Sequence, residues 1–288
     1  MIRDLLTNEH LARLDTLDIA IKKRLSGNSA GARKSSAKGS SLEFSDFREY
    51  TQGDDLRRVD WNGYARFGRL YTKLFNEERQ AVLNIILDGS MSMRHYEAKW
   101  DYAAAFAASA AYIALNNSDM VNIFVVDSDS TQRCTALTSK QSFPKAVAFL
   151  EGLEQKNSSK TALNKSVSSL AGERLGEGIS LIVSDFFSED GYDSAVKLLR
   201  SKKQTVSMVQ ILDRCEVIPE EKGNVKLIDS ETKNTRELEM TPEILDRYAK
   251  ALSSFRNELK TFALKNEAGF YSFDNSTPLI AAIGELLK

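Results

Sequence analysis

The chain has 288 residues, 42% of them hydrophobic, with 39 Lys and Arg against 40 Asp and Glu. That length and apolar content support at least one sizeable core, and the balanced charge argues against any overall pull toward nucleic acid or a membrane surface. The two cysteines, Cys134 and Cys215, lie far apart without CxxC spacing, which argues against a disulfide scaffold or thiolate metal site and fits a reducing compartment.

Residues 4–25 place Leu5, Leu11, Leu14, Leu17 and Ile21 at helical spacing with charges between them, predicting an amphipathic helix that packs on its own domain. His10 reads as a surface position on it. Neither this stretch nor any later one carries an apolar signal core or a membrane-length run, so a cytoplasmic protein is expected.

Residues 26–41, SGNSAGARKSSAKGSS, are small, polar and basic, the composition of a mobile loop. They fail the phosphate-binding Walker pattern, because Gly27 and Gly31 are separated by three residues and Ala32 stands where lysine is required. Arg33, Lys34 and Lys38 remain able to contact an acidic partner.

Residues 42–80 mix aromatics with both signs of charge and carry turn chemistry at Gly53, Asp54 and Asp55, predicting short strands and turns. Arg57, Arg58 and Arg66 beside Trp61, Tyr64 and Phe67 have the composition of a single-strand nucleic-acid patch, but Asp54, Asp55 and Asp60 cancel its charge. The expectation is that arginines and acids pair to hold an irregular segment on the sheet, with Trp61 as a core anchor.

Beyond residue 80, apolar runs alternate with helical stretches. The runs are AVLNIILD, MVNIFVVD, ISLIVSD, TVSMVQILD and GFYSFD. Between and after them come KWDYAAAFAASAAYIALNN, FPKAVAFLEGL, TALNKSVSSLA, YDSAVKLLR, a helix from about Pro242 to Lys265 and a last one from about Thr277. Runs such as IILD and LIVSD are nearly all apolar, as strands covered on both faces are. The predicted fold class is therefore α/β: a Rossmann-like, doubly wound, mostly parallel sheet with helices on both faces. Tyr102, Phe106 and Tyr112 among the alanines of 103–111 predict a slim helix buried against it. Residues 214–240 read as a hairpin insertion. The expected organisation is an N-terminal helix, mobile loop and irregular segment over 1–80, packed on a main domain over 81–288.

In such a sheet ligands bind outside the carboxyl ends of the strands, where strand order reverses. Asp88 closes the first apolar run there, with hydroxyls two and four residues on at Ser90 and Ser92. Helix capping accounts for such a pattern locally. Two further strand ends add oxygen donors: Asp185 closes ISLIVSD, and Thr161 lies in the polar loop NSSKTAL. Carboxylates and hydroxyls without clustered His or Cys are hard donors suited to Mg²⁺ or Mn²⁺, and a site with few charged ligands leaves a position open for an incoming carboxylate.

The D-x-S-x-S of Asp88, Ser90 and Ser92, followed by Thr161 and Asp185, resembles the metal-ion-dependent adhesion site of von Willebrand factor A domains. The preceding pattern of Arg48, Tyr50, Gly53, Asp54, Arg58, Asp60, Trp61, Ala65 and Arg66 resembles the signature of a bacterial branch of that superfamily, the domain of unknown function family numbered 58. The resemblance covers roughly residues 30–210. It implies a metal at the top of the sheet, held by Asp88, Ser90, Ser92, Thr161 and Asp185, that takes a Glu or Asp from a partner protein. It also implies partnership with a MoxR-type AAA+ ATPase in assembling or activating other proteins. Where such domains often have glycines before the metal-site threonine, this chain has Ser158, Ser159 and Lys160.

Competing chemistries fit less well. His95 follows the serines, but no GxSxG elbow surrounds them. Asp88 as an aspartyl-phosphate nucleophile lacks a second Asp two residues on, since Ser90 stands there. The sequence thus predicts a non-enzymatic, divalent-metal-dependent protein-binding module; the alternatives are a metal-dependent phosphoryl-transfer enzyme using Asp88 or a structural subunit without a metal.

Overall fold

The computed structural model describes residues 2–27, 42–77, 81–127, 130–153, 163–171, 175, 178–188, 190–219, 223–228 and 235–288. In chain order they form α1 (Ile2–Leu5), α2 (Asn8–Gly27), β1 (Leu42–Glu49), α3 (Trp61–Phe67), β2 (Tyr71–Glu77) and β3 (Val82–Asp88). Next come α4 (Met91–Arg94), α5 (Glu97–Asn116), β4 (Met120–Val126), β5 (Thr131–Leu137), α6 (Phe143–Glu151), α7 (Leu163–Ala171) and β6 (Ile179–Ser184). The chain closes with α8 (Asp193–Ser201), β7 (Thr205–Leu212), α9 (Arg214–Val217), β8 (Gly223–Ile228), β9 (Thr235–Met240), α10 (Pro242–Lys265), β10 (Gly269–Asp274) and α11 (Leu279–Leu286). Two units result: Arg33–Gln80, and Met1–Ala32 with Ala81–Lys288.

The larger unit is built on a six-stranded sheet of order β10-β7-β6-β3-β4-β5. Every neighbouring pair is parallel except β4 with β5. Counting only these strands, the order is 3-2-1-4-5-6, the Rossmann arrangement, and its reversal point falls between β3 and β6. The α/β expectation holds.

Successive side chains of each strand feed two separate cores, as the period of two requires. Ile85, Leu87, Ile123, Leu181, Val183 and Ile211 pack with α1, α2, α5, α6 and α11 on one face. Ile86, Phe124, Ile182 and Met208 pack with α7, α8 and α10 on the other. Near-continuous apolar strands are therefore needed, because both faces are covered. In α5 the alanines from 103 to 111 let the helix approach the sheet closely, and Phe106 is fully buried at its centre. His10 is half-buried rather than a plain surface residue, its Nε2 lying 2.9 Å from Ser109 Oγ on α5.

The strand β5 had no counterpart in the sequence reading. It is an antiparallel edge strand in which only Cys134 and Leu137 are buried, so it presents no apolar run. The 214–240 insertion does contain an antiparallel hairpin, β8 with β9. Among the described residues no helix is long and apolar enough to cross a membrane.

The smaller unit is a β1–β2 antiparallel hairpin, with a 3₁₀ turn at Leu56–Arg58 and α3 between its strands. Asp54 organises it, accepting from Thr51 N at 3.0 Å and Thr72 Oγ at 3.2 Å while pairing with Arg48 at 2.7 Å. Asp55 caps the 3₁₀ turn through Arg57 N, and Asp60 pairs with Lys73 at 3.4 Å. The acids are thereby used up within the fold, which corrects two expectations. Arg57, Arg58 and Arg66 are exposed and make no ion pair among the described residues, and Trp61 is 56% exposed rather than a core anchor. Phe67, at 73% exposure, lies outside any core too. Of the loop expected over 26–41, Ser26 and Gly27 instead end α2, and 28–41 lie outside the described residues.

Candidate functional site

The strand β3 delivers Asp88 to the carboxyl end of the sheet at its reversal point. Its neighbour β6 pairs Val183 with Leu87, so Ser184 and Asp185 emerge beside it. Asp88 is 1% exposed. Its Oδ1 accepts from Ser90 N at 3.0 Å and its Oδ2 from Ser184 Oγ at 2.6 Å, both neutral donors. Among the described residues no cation lies within ion-pair distance of it. Desolvation first, and the neighbouring charge of Asp185 second, push its carboxyl up to about 6, against the opposing pull of those hydrogen bonds.

Ser90 and Ser92 place their hydroxyl oxygens 3.0 Å apart. Ser90 stands at the start of α4, yet its side chain makes no capping hydrogen bond. The local pattern thus yields a buried carboxylate beside two hydroxyls that do not serve the helix end.

Asp185 is differently placed. Its Oδ1 accepts from Phe187 N at 3.0 Å, and its Oδ2 accepts from Lys99 Nζ at 2.8 Å. Its carbonyl takes Gln210 Nε2 at 3.1 Å. The next residue, Phe186, turns the chain with φ of 62°, a left-handed conformation that is costly outside glycine and marks strain beside the site.

Lys99, near the start of α5, is completely buried. Besides Asp185 it donates to Ser92 O at 3.2 Å and to Glu216 Oε1 at 2.9 Å. Burial disfavours its ammonium, but Asp185 and Glu216 more than offset that, and its net shift is upward. Glu216 lies in α9 directly after β7, where it closes a capping box by accepting from Asp213 N at 2.7 Å.

The structure therefore brings Asp88, Ser90, Ser92 and Asp185 together, while Thr161 lies outside the described residues, as do Ser158, Ser159 and Lys160. His95 is exposed, stacked edge-on against Tyr96, and makes no hydrogen bond to either serine. Sequence reasoning missed Lys99, Glu216 and Ser184. Lys99 carried a signal: it is in helical phase with Ala103, Phe106 and Ala107, so a lysine stands in the buried stripe of α5. Glu216 and Ser184 carried none, since both are ordinary polar residues next to strand ends.

The donor set is one carboxylate without an ion pair among the described residues, acted on by the charge of Arg94 nearby, and two hydroxyls, hard oxygens that fit Mg²⁺ or Mn²⁺. Among the described residues no three of His, Cys, Asp and Glu converge as a metal cluster, so hydroxyls and water must complete any such site. A hollow of about 620 Å³ between Tyr192 and α10 contains none of these residues.

Residues 46–258 match the family described as "Protein of unknown function DUF58". The chain belongs to this family. It is 24% identical over 261 residues to the uncharacterized protein Rv1480 of Mycobacterium tuberculosis, covering 86% of this DUF58 chain and 79% of that relative. The uncharacterized Mb1516 of Mycobacterium bovis matches to the same extent. Among solved structures, BatB from Bacteroides thetaiotaomicron aligns over 71% of this chain and 96% of its own, with 17% identity and a TM-score of 0.44. The SpRpn10 VWA domain aligns over 71% and 94%, with 11% identity and a TM-score of 0.38. The sheet order itself, rather than these distant likenesses, carries the fold of the DUF58 chain.

Proposed function

We propose that this DUF58 chain is a non-enzymatic protein-interaction module whose strand-end site takes a divalent cation, Mg²⁺ or Mn²⁺. The observation that supports it best is Asp88: a fully buried carboxylate whose hydrogen bonds come from neutral donors and which, among the described residues, forms no ion pair, although the charge of Arg94 also acts on it. Asp88 and the Ser90 and Ser92 hydroxyls are the ligands the geometry favours. Thr161 and Asp185 complete the set by resemblance to adhesion-type sites, directly or through water. When bound, the ion supplies a hard electrophilic position that accepts a carboxylate oxygen from a Glu or Asp of a partner protein.

The chain's own residues support that role. Ser184 and the Ser90 amide fix the Asp88 carboxylate, and the short α4 holds the Ser92 hydroxyl 3.0 Å from that of Ser90. Among the described residues no base is hydrogen-bonded to a serine nucleophile, His95 included, and Ser90 stands where phosphoryl transfer through Asp88 calls for a second Asp two residues on. Metal-dependent phosphoryl transfer and a metal-free structural role stand as the alternatives. By family resemblance, a MoxR-type AAA+ ATPase in the cytoplasm is the proposed partner.

The test is binding of a MoxR-type ATPase from the same genome to the immobilised full chain, in Mg²⁺ and in EDTA. Binding lost in EDTA and in Asp88→Asn supports the proposal. Equal binding under all three conditions removes the metal from it, and turnover of a generic phosphoester with Mg²⁺ favours the enzyme instead.

A further inference from the structure

We infer that Lys99 is a resident cation of the strand-end site, a positioning residue whose ammonium neutralises Asp185 and Glu216 and keeps Asp185 from direct contact with the metal, leaving it at most a water-mediated role. This rests on the metal reading above and deepens it, since it says which carboxylate faces the ion and which does not.

The two acids at the reversal point are treated oppositely by the fold. Both oxygens of Asp185 are engaged, Oδ2 by an ammonium and Oδ1 by an amide. Both oxygens of Asp88 are held by neutral groups. Lys99 has three N–H donors and three acceptors, Asp185 Oδ2 at 2.8 Å, Glu216 Oε1 at 2.9 Å and Ser92 O at 3.2 Å, so its donors are saturated. A buried cation so satisfied is expensive to displace, because breaking it away leaves the buried Asp185 and the partly buried Glu216 without a counter-charge.

Those acceptors come from three separate segments. Ser92 belongs to the turn after β3, Asp185 follows β6, and Glu216 follows β7. Lys99 thus ties the hydroxyl-bearing loop to the end of the neighbouring β6 and to that of β7 beyond it. A divalent ion recruiting Asp185 would have to draw it from the ammonium and sit against a like charge, which is repulsive at such range in a poorly solvated site. The ion is therefore left to Asp88, Ser90 and Ser92, with one protein charge against its two. Such a site binds its ion modestly and keeps a net positive centre for a partner's carboxylate.

The experiment is calorimetric titration of Mg²⁺ and Mn²⁺ into the EDTA-stripped full chain, alongside Lys99→Met, Asp185→Asn and the double variant. Methionine keeps the apolar stem and removes the charge. Lys99→Met should bind Mg²⁺ at least tenfold more tightly than wild type, because a second carboxylate becomes available and the repulsion disappears. Asp185→Asn alone should stay within threefold of wild type, and the double variant should lose the tenfold gain. Should apo Lys99→Met fail to fold, Lys99→Met/Glu216→Gln carries one buried charge fewer and should show the same gain. Lys99→Met binding no more tightly than wild type, or Asp185→Asn abolishing wild-type binding, overturns the inference. Metal binding by Lys99→Met but not by wild type sinks the metal reading of the native chain and leaves the resident cation standing. Binding by neither overturns both.

Discussion

Replacing Asp88 with asparagine removes one charge and almost no volume, so it isolates what the buried carboxylate costs the fold. Raising its carboxyl from 3.8 to about 6 means that the ionised form is disfavoured in the native state by about 3 kcal/mol relative to the unfolded chain. The native state holds this proton more tightly than the unfolded chain does, so the stability it provides is fully present below about pH 4 and is lost as pH rises through about 6. Asparagine imitates the protonated form. It keeps an acceptor for the Ser90 amide and turns an NH₂ toward Ser184 Oγ, weakening at most one hydrogen bond, at about 1 kcal/mol. The expected net effect for the metal-free variant is a gain of about 2 kcal/mol at pH 7.5 that turns into a loss of up to about 1 kcal/mol at pH 4. Urea unfolding in EDTA at both pH values measures it. If Asp88 merely held a helix start, Asp88→Asn would be less stable than wild type at both pH values, and a loss of about 1 kcal/mol at pH 7.5 would refute the reasoning.

Metal affinity should fall about tenfold per pH unit below about 6, because the Asp88 proton competes with the ion, and should level off above 7; calorimetry across that range reads the slope. Phe106→Ala should cost about 3–5 kcal/mol in urea unfolding, since the ring is fully buried between α5 and the sheet and packs 5.9 Å from Phe273. Gly178→Ala should cost about 3 kcal/mol in the same assay, because its new Cβ would lie 2.1 Å from the Val82 carbonyl oxygen where β6 starts beside β3. A loss under 1 kcal/mol there would show that the two strand starts separate easily.

The parallel sheet was legible because burial on both faces demands apolar runs, and Asp88 stood out as the acid that ends one of them. The edge strand β5 was not, since one solvated face leaves it only Cys134 and Leu137 to bury. Trp61 misled for a related reason: bulk and apolarity mark a residue as buriable, but whether another layer covers it depends on partners far away in sequence. The helix α3 was hidden by the glycine in its first turn, Gly63, where a Cβ would meet Asp60 Oδ2 at 2.8 Å. At the site, Asp88, Ser90 and Ser92 share one short stretch and could be read together. Lys99 and Glu216 meet only because α5 runs back beneath the strand ends, and their pairing spans 117 positions of sequence.

The central claim is that Asp88 belongs to a cation site rather than to a helix cap. Mn²⁺ titration followed by electron paramagnetic resonance, in wild type and Asp88→Asn at pH 7.5, tests it most directly. The account predicts that wild type removes one equivalent of the free-ion signal, that Mg²⁺ in excess restores it, and that the variant, though at least as stable, leaves the signal untouched. An unchanged free-ion signal with folded wild type, or equal uptake by the variant, would contradict it.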